Sequence, residues 1–126
     1  MPDSRLTLST LLSLKKRRER RIRREITRLD REGDELNQRK QQLLQAHQQL
    51  WQQWRESSGQ EQTLTPQQWK LYRAQLAGYY QQDHALQSQV AVTDNMFSRL
   101  QMEKDDQHLL LRQVLMEQEK LNILME

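Results

Sequence analysis

Branched aliphatic residues recur on a strict seven-residue step through the first half of the chain: Ile22, Leu29, Leu36, Leu43 and Leu50, with Leu8 on the same series. Seven residues fall just short of two turns of α-helix. The series is therefore one stripe that winds slowly around a helix and favours a left-handed coiled coil. With this series at heptad position d, position a reads Leu12, Glu19, Ile26, Gly33, Lys40, His47 and Trp54. No proline interrupts residues 3–65. The pattern predicts a helix over about residues 7–57, roughly 75 Å long.

The pattern breaks at "ESSGQEQTLTPQQW", where Ser57, Ser58 and Gly59 are turn formers. A loop is expected over about residues 58–65. Thr65 is suited to cap a second helix, Pro66 to open it and Gln68 to complete a capping box, and Leu64 and Trp69 have the spacing of a hydrophobic staple. From there Trp69, Leu76, Asp83, Val90, Phe97, Lys104 and Leu111 mark a, and Tyr72, Tyr79, Leu86, Thr93, Leu100, Gln107 and Val114 mark d. The expected second helix covers about residues 66–125. The fold class is thus all-α, with two long helices forming an antiparallel coiled-coil hairpin as a single domain. Folding the chain near residue 61 brings Lys40 towards Asp83 and Glu19 towards Lys104, so that polar intruders in one stripe meet opposite charges in the other.

Composition supports so thin a fold. Apolar residues make up 35% of the chain, against roughly 45–50% in ordinary globular domains. Gly and Pro together number five among 126 residues, too few breakers for many turns. The 21 Gln suit exposed helix faces. There is no Cys, which excludes disulfides and thiolate metal sites. No apolar run is long enough to span a bilayer, and "LTLSTLLSL" precedes the positive charge, the reverse of a signal peptide. A cytoplasmic protein is expected.

No catalytic constellation stands out. The three glycines are isolated, so no phosphate-cradling loop is present. His47, His84 and His108 are far apart in sequence, although His84 could approach His47 across the hairpin. Two histidines alone do not make a metal site. A bare hairpin also offers no pocket to shift carboxylate pKa values. The expectation is a non-enzyme without cofactor, metal or small-molecule substrate.

Residues the seam cannot absorb gather at the two ends. The end holding both termini carries Leu6, Leu11 and Leu14 with Leu109, Leu110, Leu115, Met116, Ile123 and Leu124. A contiguous apolar patch of this kind marks an interface. The middle of the chain carries almost no such surplus. Near the loop lie six of the seven aromatics: Trp51, Trp54, Trp69, Tyr72, Tyr79 and Tyr80. Four fall on the seam and plug the tip. Trp51 and Tyr80 fall off it, and are residue types that dominate binding surfaces.

The stretch "KKRRERRIRREITRLDRE", residues 15–32, holds ten basic and four acidic residues. A basic segment beside a leucine heptad resembles a basic leucine zipper superficially. In that family, however, an unzipped basic helix with an Asn-x-x-Ala-Ala pattern precedes the zipper. Here the heptad runs through the basic segment, which contains neither Asn nor Ala. Glu103, Asp105 and Asp106 are expected to lie opposite Arg17 to Arg21 and neutralise part of the charge. Nucleic acid is a minority reading.

The layout resembles the type III secretion stalk family, the small coiled-coil subunits of the YscO/FliJ kind. The shared features are chain length, the apolar segment "LTLSTLLSLKKRRERR" leading into a strongly basic helix, one central loop, and a Gln/Glu/Arg-rich hairpin without Cys. The resemblance covers the whole chain and rests on architecture. It implies a stalk similar to the shaft of rotary ATPases, peripheral to the inner-membrane secretion apparatus and touching the membrane only indirectly. The termini would enter a hexameric secretion ATPase and stimulate it. The other end would reach the cytoplasmic ring of the export gate, with escort chaperones as further partners. Mapped by position, Leu8, Leu11, Arg17, Arg18, Arg21, Arg24, Leu110 and Leu115 would face the ATPase. Trp51, Trp54, Trp69, Tyr72, Leu76 and Tyr80 would serve the gate or the chaperones. Two other readings remain at this point: a generic coiled-coil scaffold or tether joined through its apolar ends, and a nucleic-acid binder using residues 15–31.

Overall fold

The computed structural model describes residues 2–58 and 64–126. They form two helices, α1 (Pro2–Ser58) and α2 (Pro66–Met125), that pack against each other antiparallel. The fold is all-α. Helix α1 starts before the expected residue 7, because no breaker separates the leucine repeat from Pro2. A proline is tolerated in a first turn, where its missing N–H has no intrahelical partner anyway. Ser57 and Ser58 belong to α1, and Gly59 lies outside the described residues.

The start of α2 is built as its sequence predicts. The Gln68 backbone N–H donates to Thr65 Oγ1 at 3.2 Å, and the Thr65 N–H donates to Gln68 Oε1 at 2.9 Å. This reciprocal pair satisfies two donors that a helix start leaves open. The staple does not bury its apolar members, for Leu64 and Trp69 both remain exposed.

The chain divides into two units. Unit 1 comprises residues 1–34 and 98–126, and unit 2 residues 35–97. In unit 1 the buried apolar residues among those described are Ile22, Leu29, Leu100 and Val114, with Leu29 and Val114 fully buried. Gly33 lies close against the partner helix: a Cβ on it would stand 3.3 Å from Leu100 Cδ2, a tight contact that Leu100 would have to relieve by shifting. Gln118 is buried in the same seam and donates to Glu19 Oε1 at 2.9 Å. That bond, with the Arg23 bond second, holds the Glu19 carboxyl below its usual range. In unit 2 the only buried apolar residue among those described is Leu50. It is accompanied by buried Thr93, whose hydroxyl donates to the Gln89 carbonyl at 2.8 Å. The heptad places between these residues are half-buried almost without exception, including Leu36, Leu43, Leu76, Leu86 and Val90.

The register differs from the one the charges suggest. Lys40 Nζ lies 2.8 Å from Asp94 Oδ1, and Asp83 instead meets His47 and Trp51. Lys104 Nζ lies 2.7 Å from Asp30 Oδ1, and Glu19 meets Gln118 and Arg23. Both lysines thus pair eleven residues away from the expected place, Asp94 against Asp83 and Asp30 against Glu19. The seam itself is offset from the expected pairing, with Gly33 against Leu100 and Trp54 against Tyr79. Each lysine stands at a seam position but sends its ammonium out to a flanking aspartate. A long stem can cover apolar surface while its charged head stays wet. An ion pair held inside the seam would lose hydration that its attraction barely repays.

Candidate functional site

Three groups of side chains remain that packing within the hairpin does not use up: a basic face and an apolar end in unit 1, and an aromatic cluster in unit 2.

The basic face follows from α1 geometry. Ile22, Ile26 and Leu29 turn to the seam. Arg17, Arg20, Arg21, Arg24, Arg28 and Arg31, at steps of three and four, then fall on the opposite side of the helix, and all are exposed. From Arg17 to Arg31 the helix rises about 21 Å. Arg28 is held by Glu25 and Glu32, and its bond keeps the Glu25 carboxyl below its usual range. Among the described residues no carboxylate pairs with Arg17, Arg21, Arg24 or Arg31 within 4.0 Å. Arg18 lies on the flank, where it lines a shallow groove with Arg21, Ile22, Glu25 and Gln107. The acidic residues expected to neutralise Arg17 to Arg21 do not do so. Asp105 accepts from Gln101 at 3.1 Å, Glu103 acts on Arg28, and Lys104 takes Asp30. Arg23 is paired with Glu19, and Arg17, Arg21 and Arg24 are left facing outward. Just before these residues, Lys15 Nζ bridges to Glu117 Oε2 of α2 at 2.6 Å, which also holds the Glu117 carboxyl below its usual range.

At the apolar end, Leu6, Leu14, Leu109, Met116, Ile123 and Leu124 are all more than half exposed. Leu11 and Leu115 are exposed to a lesser degree. Leu8 and Leu110 are half-buried. Leu8 stands at a d position and serves the seam, so its side chain is mainly structural.

The aromatic cluster is organised differently from the division expected. Trp51, read as off the seam, is half-buried and reaches α2: its Nε1–H donates to Asp83 Oδ1 at 2.8 Å, and its ring meets Tyr80 edge-on at 5.7 Å. Trp69, read as a seam residue, is 47% exposed. Its ring stacks on Tyr72 of its own helix at 5.7 Å, and the Arg73 guanidinium lies over the Trp69 ring at the same distance. The register explains the exchange. Trp54 packs between Tyr72 and Tyr79, at 5.2 and 5.3 Å, so the α1 aromatics meet α2 from its second turn onward and leave its first turn free. Tyr72 and Leu76 are half-buried and Tyr80 is exposed. Leu71, 64% exposed beside them, was not singled out by the heptad reading, which tracks seam positions only.

Asp83 is the polar centre of this cluster. It accepts from Trp51, from His47 Nε2 at 2.5 Å and from Gln87 Nε2 at 3.0 Å. The Trp51 bond first, then His47 and Gln87, hold its carboxyl below the usual range. His84 is exposed, and the neighbour of His47 is Asp83. Among the described residues no group of three His, Cys, Asp or Glu side chains is placed to hold a metal ion. No described helix is long and apolar enough to cross a membrane. The expectation that the middle of the chain lacks an apolar surplus is overturned: Val92, Met96 and Phe97 are exposed there, although Phe97 stands at a seam position.

No protein-family model matches the chain, and neither a curated protein nor a solved structure matches it.

Proposed function

We propose that this chain is a non-enzymatic stalk of a type III secretion export apparatus. In this reading the end carrying both termini inserts into the hexameric secretion ATPase and stimulates it. The aromatic end meets the cytoplasmic ring of the export gate or an escort chaperone. The protein then works in the cytoplasm, peripheral to the inner membrane, without cofactor or small-molecule substrate.

The observation that carries the reading is that Arg17, Arg21, Arg24 and Arg31 on the exposed face of α1 have no carboxylate within 4.0 Å among the described residues, next to apolar side chains of both termini that the helix pair leaves exposed. An arginine row on a rigid helix suits a partner presenting carboxylates, because the guanidinium fork binds carboxylate in two places at once. Exposed leucines beside it supply the desolvated contact that charge alone lacks. Neither feature stabilises the hairpin itself. The architectural resemblance to the stalk family adds the identity of the partner.

Charge reversal at Arg17, Arg18, Arg21 and Arg24 tests it. Helix content should stay nearly unchanged, since Ile22 and Leu29 still hold the seam. Binding to the cognate hexameric secretion ATPase, and stimulation of its hydrolysis, should fall. For the unaltered chain both should weaken with salt, as exposed charges are screened over about 8–10 Å. Tight duplex DNA binding at physiological salt, with no effect on ATPase rate, would replace the stalk with a nucleic-acid binder; its salt slope should be near −0.9 per phosphate neutralised.

A further inference from the structure

The charges of α1 between Arg17 and Arg31 are sorted across the helix. The carboxylates turn towards the seam or onto a neighbouring base: Glu19 to Gln118 and Arg23, Asp30 to Lys104, Glu25 and Glu32 to Arg28. Arg17, Arg20, Arg24 and Arg31 are exposed on the side away from the seam, and among the described residues none has a carboxylate within 4.0 Å. A shallow groove on this side is lined by Arg23, Arg24, Thr27, Arg28 and Arg31, so it offers an incoming group guanidiniums and one hydroxyl, and no carboxylate. The row ends at Glu35, about one turn past Arg31. In the other direction the same line of the helix reaches Leu6, about three turns before Arg17, which is 69% exposed. Ile22 and Leu29 are buried, so the helix cannot roll this line away from solvent.

We propose that this face of α1 lies on an anionic phospholipid surface, with Arg17, Arg20, Arg24 and Arg31 at the phosphates and Leu6 below them at the edge of the acyl chains. Guanidinium forks bind phosphate oxygens two at a time. A cluster of basic residues on one helix face holds to an acidic bilayer by charge, and an exposed leucine on the same face adds buried apolar area. Shape selects the membrane over nucleic acid, which shares the phosphodiester chemistry. The arginine row is straight and about 21 Å long, and a bilayer meets it with phosphates along its whole length. A duplex backbone winds away from such a line. The row cannot follow it into the major groove, which is about 12 Å wide and admits one helix. Here α1 is backed by α2, through Ile22 and Leu29 on one helix and Leu100 and Val114 on the other. A duplex also has no acyl layer to receive Leu6. The inference goes beyond the stalk reading and does not depend on it. Lipid and ATPase share Arg17 and Arg24, so they occupy the face in turn.

Flotation of the full chain tests this, with vesicles of phosphatidylcholine and phosphatidylglycerol in equal parts and with vesicles of phosphatidylcholine alone. The chain should float with the first and not with the second, and raised salt should release it. Arg20→Gln with Arg31→Gln should weaken binding by at least about tenfold. The same loss of charge at Arg39 and Arg99, exposed elsewhere on the hairpin, should have a much smaller effect. The chain has no cysteine, so Leu6→Cys gives it a single thiol for a polarity-sensitive dye. On the anionic vesicles that dye should shift to shorter wavelength, whereas the same dye on Ala91→Cys, exposed on α2, should not. Equal binding to both kinds of vesicle overturns the proposal, as does an equal loss from the two arginine pairs or a dye at position 6 that stays in water. Binding to duplex DNA without binding to the vesicles overturns it too. No arm contains the ATPase, so a failure here leaves the stalk reading standing, and a failure to stimulate the ATPase leaves this one.

Discussion

Asp83 shows how one side chain fixes the end of the hairpin. It stands at a seam position, where a bare carboxylate would be costly, and it is tolerated because Trp51, His47 and Gln87 all turn to it. Its folded pKa is depressed, so its contribution to stability is present in full above the ordinary carboxylate range. That contribution disappears as pH falls through the folded value, because the folded state then has to take up a proton it disfavours. Trp51→Phe keeps a ring beside Tyr80 and removes the largest cause of the depression. Urea midpoints followed down through the acid range should fall less steeply for Trp51→Phe than for the unaltered chain, and parallel profiles would refute the assignment. Trp69, by contrast, is braced only by Tyr72 and Arg73 of its own helix. Trp69→Ala should cost about 0.5–1 kcal/mol in the same measurement, far below the roughly 3–5 kcal/mol of a buried tryptophan. A larger loss would mean that the first turn of α2 is packed after all.

Along each helix, the heptad made nearly every seam residue legible from sequence. From Leu8 to Trp54, and from Tyr72 to Met125, the a and d places are buried or half-buried, Phe97 excepted. The Thr65–Gln68 cap was equally legible, being local. Register was not, for a heptad states which face is inside and is silent on which turn meets which. Charges are a poor guide to that choice, because exposed pairs are worth about 0–1 kcal/mol and long lysines reach acids outside the seam. The aromatic cluster inherited the error, so Trp51 and Trp69 changed places. The two glycines test the resulting alignment. Gly33→Val should destabilise α1 against α2, since Leu100 must yield to the added methyls. At Gly78 an added Cβ would meet nothing within 4 Å, so Gly78→Ala should stabilise the chain by about 0.5–1 kcal/mol, through helix propensity alone. Equal effects at both positions would show that Leu100 does not lie over Gly33.

For the molecule as a whole, unequal burial sets unequal stability. Among the described residues unit 1 buries the apolar side chains of Ile22, Leu29, Leu100 and Val114, whereas unit 2 buries only Leu50 and the polar Thr93. Fully burying an aliphatic side chain is worth about 1.5–3 kcal/mol, so the advantage of unit 1 survives a generous allowance for the rings around Trp54. Regions that reshape on binding are drawn from the less stable part of a fold. The aromatic end is therefore suited to adjust to a partner, and the basic face to present a fixed row of arginines. Hydrogen exchange of the dilute chain should show it. Amides around Leu29 and Val114 should exchange at least about tenfold more slowly than those around Leu43 and Leu86, tenfold corresponding to about 1.4 kcal/mol. Uniform protection along both helices would mean that the hairpin opens as one cooperative body, and the aromatic end would lose its claim to be the adaptable one.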